Sequence, residues 1–165
     1  MTDEAASRLP AVGAPAPALA LPDDDGTIRD LAHERGKWVV LFFYPKDFTP
    51  GCTTEVCEFR DLSTDFAAAG ATVWSISILD ADSKAKFKAE HQLTFPLLAD
   101  ADHAVAECYG VWVEKKNYGK TYMGIARTTF LLDPDGRVAR VWPGVKVDGH
   151  AAEVLEALRS AASEA

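Results

Sequence analysis

Cys52 follows the apolar run Trp38-Val-Val-Leu-Phe-Phe43, a proline-containing loop and the pair Pro50-Gly51. After it, apolar residues recur at Val56, Phe59, Leu62 and Phe66, a spacing of three or four that predicts a helix ending near Gly70. The sulfur therefore falls in the first turn of a helix that follows a strand. Free backbone N–H groups and the positive end of the helix dipole stabilise an anion there. Thiols so placed have pKa values below the free value of about 8.5, and the thiolate is both the nucleophile and the species that oxidises. Thr49, three residues upstream, brings a hydroxyl that can hydrogen-bond an oxygen in the same pocket.

Cys57 lies five residues further along the same predicted helix. Five residues advance a helix by about 7.5 Å and turn it by about 140°, which leaves the Cα atoms roughly 8–9 Å apart. A disulfide needs them within about 7 Å. A bridge between Cys52 and Cys57 thus requires the first turns of the helix to unwind; the other reading of Cys57 is a core cysteine. Cys108, at the end of a short predicted helix, reads as structural or incidental, with a reserve role as resolving partner. Arg127 opens an apolar strand, where an unpartnered guanidinium is costly. It is either a rim ion pair or a fixed positive charge for the thiolate and a developing oxyanion. Glu55, one turn from Cys52, is expected to hold Arg127 in place, an exposed helix carboxylate being the alternative.

The elements that must position these groups follow from pattern. Ala11 to Pro22, with Pro15, Pro17 and Pro22, is expected to lie extended on the surface. Asp23 to Gly26 is a turn, and Thr27 to Leu31 a short strand. The run 38–43 is a strand buried on both faces, and Thr72 to Ile78 a second strand. Asp82 to Gln92 is a polar, lysine-rich helix, Phe95 to Leu98 a short extended piece, and His103 to Tyr109 a short helix. Thr128 to Leu132, the Asp133-Pro-Asp-Gly136 turn and Arg137 to Trp142 make a hairpin, and Asp148 to Ala162 a final amphipathic helix. This order predicts an α/β fold with a central mixed sheet.

The totals bound the rest. The 165 residues fit one domain, expected over 9–165 after a disordered 1–8. A net charge of -8 with pI near 4.9 argues against nucleic acid or an anionic membrane as partner. The N-terminus lacks a cationic start and apolar core, and no stretch approaches the roughly eighteen apolar residues of a membrane span, so the expected location is the cytoplasm. In a reducing compartment a cysteine pair is reactive or metal-binding before it is a staple. His33, His91, His103 and His150 are dispersed in polar segments without ligand spacing to a cysteine, and are read as solvated rather than as metal ligands. The chain has no glycine-rich phosphate loop, no Gly-x-Ser-x-Gly and no Cys-x-x-Cys, which removes nucleotide-binding, hydrolase and thioredoxin-type readings.

Pro45, Thr49 and Cys52 form a Pro-x-x-x-Thr-x-x-Cys run. With Cys57 at plus five, Gly110-Val-Trp112, Glu114-Lys-Lys116, Gly119-Lys-Thr-Tyr122, Gly124-Ile125 and Arg127 to Asp133, it resembles the peroxiredoxins, and among them the atypical two-cysteine bacterioferritin comigratory or Q-type subgroup. The resemblance runs from about residue 10 to 160. It implies a thioredoxin-like fold, a peroxidatic Cys52, a resolving Cys57 joined to it in an intramolecular disulfide, a Thr49 that hydrogen-bonds the peroxide, a Pro45 that shields the pocket, and Arg127 completing the site. Cys108 stands where that pattern has no cysteine.

The activity so implied is reduction of hydrogen peroxide and organic hydroperoxides, recycled by thioredoxin or a similar dithiol protein, with no metal, flavin or haem as cofactor. One chain holding both cysteines permits a monomer, a weak dimer being the other expected state. The rival from another class is a non-enzymatic redox-sensing module that oxidises once and stalls.

Overall fold

In the computed structural model, which describes residues 9–46 and 50–164, alternate residues of β3 (Trp38–Phe43) point into two different cores. Val40 and Phe42 join Tyr44 in one, while Val39, Leu41 and Phe43 enter the other. That is the period of two of a strand buried on both faces.

Around β3 a five-stranded mixed sheet forms in the order β5-β4-β3-β8-β9. β4 (Ala71–Ser77) runs parallel to β3, and β5 (Leu97–Ala99) parallel to β4. On the other side β8 (Thr128–Leu132) is antiparallel to β3, and β9 (Val138–Trp142) antiparallel to β8 with a register shift at Leu131/Leu132. The expected α/β class with a central mixed sheet is the one observed.

One face of the sheet carries α1 (Pro50–Asp61), α2 (Ser63–Ala68), α3 (Ala81–His91) and α5 (His150–Glu164). Phe42 stacks on Phe59 of α1 with ring centroids 4.3 Å apart, which seats the helix directly over β3. The other face is covered by β1 (Ala20–Pro22), by α4 (Ala104–Cys108) and by residues at the base of a hairpin, β6 (Trp112–Asn117) and β7 (Lys120–Ile125). β1 pairs antiparallel with β2 (Ile28–Asp30).

Four expectations need correction. The helix expected to run unbroken to Gly70 divides at Leu62, whose ψ is 9°. The Ser63 hydroxyl donates to the Phe59 carbonyl at 3.2 Å, a local bond of the kind that bends helices, and Phe66 then turns in beside Phe59. The N-terminal segment is not simply on the surface: Leu19 and Leu21 are buried, and Tyr109 donates to the Pro17 carbonyl at 2.7 Å. The lysine-rich helix is not polar all round, since Phe87 is fully buried, as is Lys84, which donates to the Tyr44 hydroxyl at 3.1 Å and to Ser77. The hairpin β6–β7 had no counterpart among the expected strands. Its two-residue turn has Tyr118 at φ 52° and Gly119 at φ 75°, the twist that suits a tight hairpin.

Candidate active site

The chain leaves β3 at Phe43 and passes Tyr44 and half-buried Pro45, and α1 begins at Pro50. Thr49 lies outside the described residues. Pro50 suits the first helical position, where a missing N–H costs nothing. Cys52 follows two residues later, 1% exposed, in a first turn that contains no acidic side chain to compete for the helix N-terminus.

Arg127 reaches this sulfur because of the sheet. Phe43 pairs with Thr128, so the residue before β8 sits where β3 hands over to the loop leading to α1. Its backbone is fixed on both sides, Val145 N–H donating to the Arg127 carbonyl at 3.0 Å and Ala126 N–H to that of Val111 at 2.8 Å. The guanidinium then divides: one terminal nitrogen donates to Cys52 Sγ at 3.3 Å, the other to Glu55 Oε1 at 2.7 Å. A Cβ on Gly51 would lie 3.3 Å from the nitrogen on the sulfur, so the glycine leaves the guanidinium its place. Burial works against the charge of Arg127, but Glu55 and Cys52 more than offset it, and its pKa lies above the ordinary value.

Glu55 is 1% exposed, which excludes the reading as a solvated helix carboxylate. Burial pushes its carboxyl up to about 7, against the pull of Arg127. Oε2 has no hydrogen-bond partner among the described residues, so only half of the group is satisfied.

Cys57 and Cys52 both occur as free thiols on the unbroken α1. Cys57 is half-buried, packed against the core that contains Val56 and Phe59, with Arg60 one turn on. The helix is tied down by Gly149 N–H donating to Glu58 Oε2 at 3.3 Å and Arg60 donating to the His91 carbonyl at 2.8 Å. Cys108 is exposed on α4.

His150, read from sequence as solvated, is instead 3% exposed at the start of α5, its Nε2 2.8 Å from the Thr129 hydroxyl. Burial drives its imidazole down to about 4; Glu153 opposes that and Arg127 adds to it. A histidine whose folded pKa lies below the ordinary 6.5 contributes stability that is complete above pH 6.5 and is lost as pH falls toward 4. Acid unfolding of the His150→Gln variant, followed by circular dichroism, is expected to lose most of the pH dependence in that window, on the order of 3 kcal/mol. An unchanged acid profile would place the loss elsewhere.

Among the described residues no group of three or more His, Cys, Asp or Glu side chains is placed to hold a metal, and no helix is long and apolar enough to cross a membrane.

A thioredoxin-like α/β sheet that delivers a buried thiol, a guanidinium and a carboxylate to one helix start defines a class of thiol enzyme. The chain belongs to the AhpC/TSA family, whose model matches residues 12–141, and it is a peroxiredoxin. It is 48% identical over 148 residues to Peroxiredoxin Bcp of Bacillus subtilis, covering 90% of this chain and 94% of that protein. A putative peroxiredoxin bcp of Coxiella burnetii is 50% identical over 144 residues, 87% of this chain and 95% of the relative. Among solved structures, the bacterioferritin comigratory protein of Xanthomonas campestris, studied for alkyl peroxide reduction in trapped intermediate and ligand complexes, superposes with a TM-score of 0.84 at 44% identity, over 87% of this chain and 92% of that one. A cysteine-to-serine variant of PrxQ from Xylella fastidiosa gives 0.84 at 37% identity, over 90% and 96%.

Proposed function

We propose that Cys52 is the peroxidatic thiol of this thiol-dependent peroxidase, and that the bond from Arg127 to its sulfur is the observation that carries the role. The Cys52 thiolate attacks one peroxide oxygen, the O–O bond breaks, and the departing oxygen takes a proton to leave as water or alcohol. The sulfur keeps the other oxygen as sulfenic acid. Arg127 stabilises the thiolate and the leaving oxygen; Glu55 holds the guanidinium in line. The resemblance to the peroxiredoxins gives Thr49 the hydrogen bond to the peroxide and Pro45 the shielding of the pocket. Cys57 then attacks the sulfenic acid, water leaves, and an intramolecular disulfide forms after α1 opens. Thioredoxin or a similar dithiol protein donates the two electrons that restore both thiols, within a single cytoplasmic chain.

Cys57→Ser tests the second half. It is expected to leave the first peroxide turnover at its normal rate, to stop recycling by a thioredoxin system, and to accumulate Cys52 sulfinic acid under excess peroxide. Mass spectrometry of the oxidised chain reads all three. Sustained cycling by the variant would move the resolving role to Cys108 or to an external thiol, whereas a single stoichiometric oxidation of the unsubstituted chain followed by a stall would favour the sensor reading.

A further inference from the structure

The active site has an unbalanced charge count. Arg127 is shared between a buried carboxylate and the sulfur. Above about pH 7, where Glu55 is ionised, a Cys52 thiolate leaves the group with one net negative charge in a place largely closed to water, where such an excess is costly. A further cation lies on the hairpin that leads into Arg127. Lys115 belongs to β6, opposite Tyr122 of β7, and the next pair on that face of the hairpin is Val113 with Gly124. The stem of Lys115 crosses Gly124, with its Cδ and Cε 3.4 and 3.5 Å from where a Cβ on that glycine would sit. A larger residue at 124 would push the stem out of this path. Three residues beyond Gly124 the same chain presents Arg127.

The side chain is half-buried, and among the described residues no carboxylate forms an ion pair with it. The ionisable groups that bear on it are Arg127 before β8 and Cys52 on α1, with Tyr122 opposite it on β7. Burial lowers the pKa of its ammonium, Arg127 lowers it further, and Cys52 raises it.

We infer that Lys115 is a positioning residue of the peroxidatic site, a second cation laid across Gly124 that supplies the positive charge Arg127 gives up to Glu55 and so sets the pH at which Cys52 becomes reactive. The inference rests on Cys52 as the nucleophile and adds a residue that acts on it through the field alone. It also gives the hairpin, whose tip is exposed, a purpose beyond covering the sheet.

The test is a charge series, Lys115→Arg, Lys115→Met and Lys115→Glu, in the full chain. The rate of the first oxidation by hydrogen peroxide is followed by stopped flow between about pH 5 and 9. The pH of half-maximal rate is expected to stay near that of the parent in the Arg variant, to rise by about one unit in the Met variant, and to rise further in the Glu variant. Below both midpoints the Met variant is then about tenfold slower, while the alkaline plateau is unchanged. Met reproduces the packing of the stem on Gly124, so a purely structural role would lower the rate equally at all pH values. Equal midpoints across the series, or a loss independent of pH, overturns the assignment. Should the Glu variant not fold, the Arg and Met variants decide it on the same terms. Loss of all activity in the parent chain itself would instead refute the peroxidatic role of Cys52.

Discussion

Cys52→Ser is expected to bring hydroperoxide consumption down to the background rate, a fall of more than about a thousandfold, equivalent to about 4 kcal/mol of barrier. The substitution is nearly isosteric, and the serine hydroxyl still fits beside the first turn of α1 and the Arg127 guanidinium. What it removes is the nucleophilic sulfur. A hydroxyl is not ionised near neutral pH even next to a guanidinium, and an alcohol oxygen does not form a stable sulfenic-acid counterpart. The fold should be untouched, since Cys52 contributes little apolar volume next to Phe59 and Phe42 in the same core. A stopped-flow peroxide assay, with thermal unfolding as the control, reads both. Retained activity in a folded variant would transfer the nucleophilic role to Cys57 or Cys108.

The second large effect is expected at Arg127. Arg127→Met keeps the length of the stem and deletes the fork that joins Cys52 to Glu55. Removing one preorganised donor from a site of developing charge costs about a hundredfold to a thousandfold in rate. The same substitution leaves Glu55 buried with neither oxygen bonded, and stranding one partner of a buried pair typically costs about 3–5 kcal/mol of stability. The two losses can be separated. Adding Glu55→Gln removes the stranded charge, so the double variant should regain most of the melting temperature while the peroxide rate stays low. If the rate returned along with the stability, Arg127 would be a structural ion pair and not part of the chemistry.

The parts of the site that were legible in the sequence are those whose geometry is local. Pro45, Thr49, Cys52 and Glu55 lie within eleven consecutive residues, and the strand before them and the helix after them are set by short-range apolar patterns. Arg127 could be suspected because a guanidinium at the mouth of an apolar strand needs a partner, but the identity of that partner depends on a pairing 72 residues away. The burial of Glu55 and His150 was not legible either. Each is a polar residue on an amphipathic helix, and only the packing of that helix on the sheet and its neighbours decides which side of it is dry.

Lys115 was hidden for a further reason. β6 carries three charged residues in a row, Glu114, Lys115 and Lys116, so the apolar alternation that marks a half-buried strand is weak there. The usable signal was the turn: Asn117-Tyr118-Gly119 between stretches of equal length is compatible with a two-residue hairpin. The break at Leu62 had no comparable signal beyond a serine at the following position, which is tolerated inside many helices.

With Cys57 as the resolving thiol, its seat against the core sets up a race inside every catalytic cycle. The sulfenic acid must wait for α1 to detach its ties to Gly149 and His91, and a second peroxide can arrive during that wait. Whatever lengthens the wait raises the share of molecules lost to sulfinic acid. Reinforcing α1 would therefore give a chain that survives heat better and oxidant worse. Its durability in use is governed by how readily one helix lets go, and selection for peroxide tolerance should favour substitutions that loosen that helix.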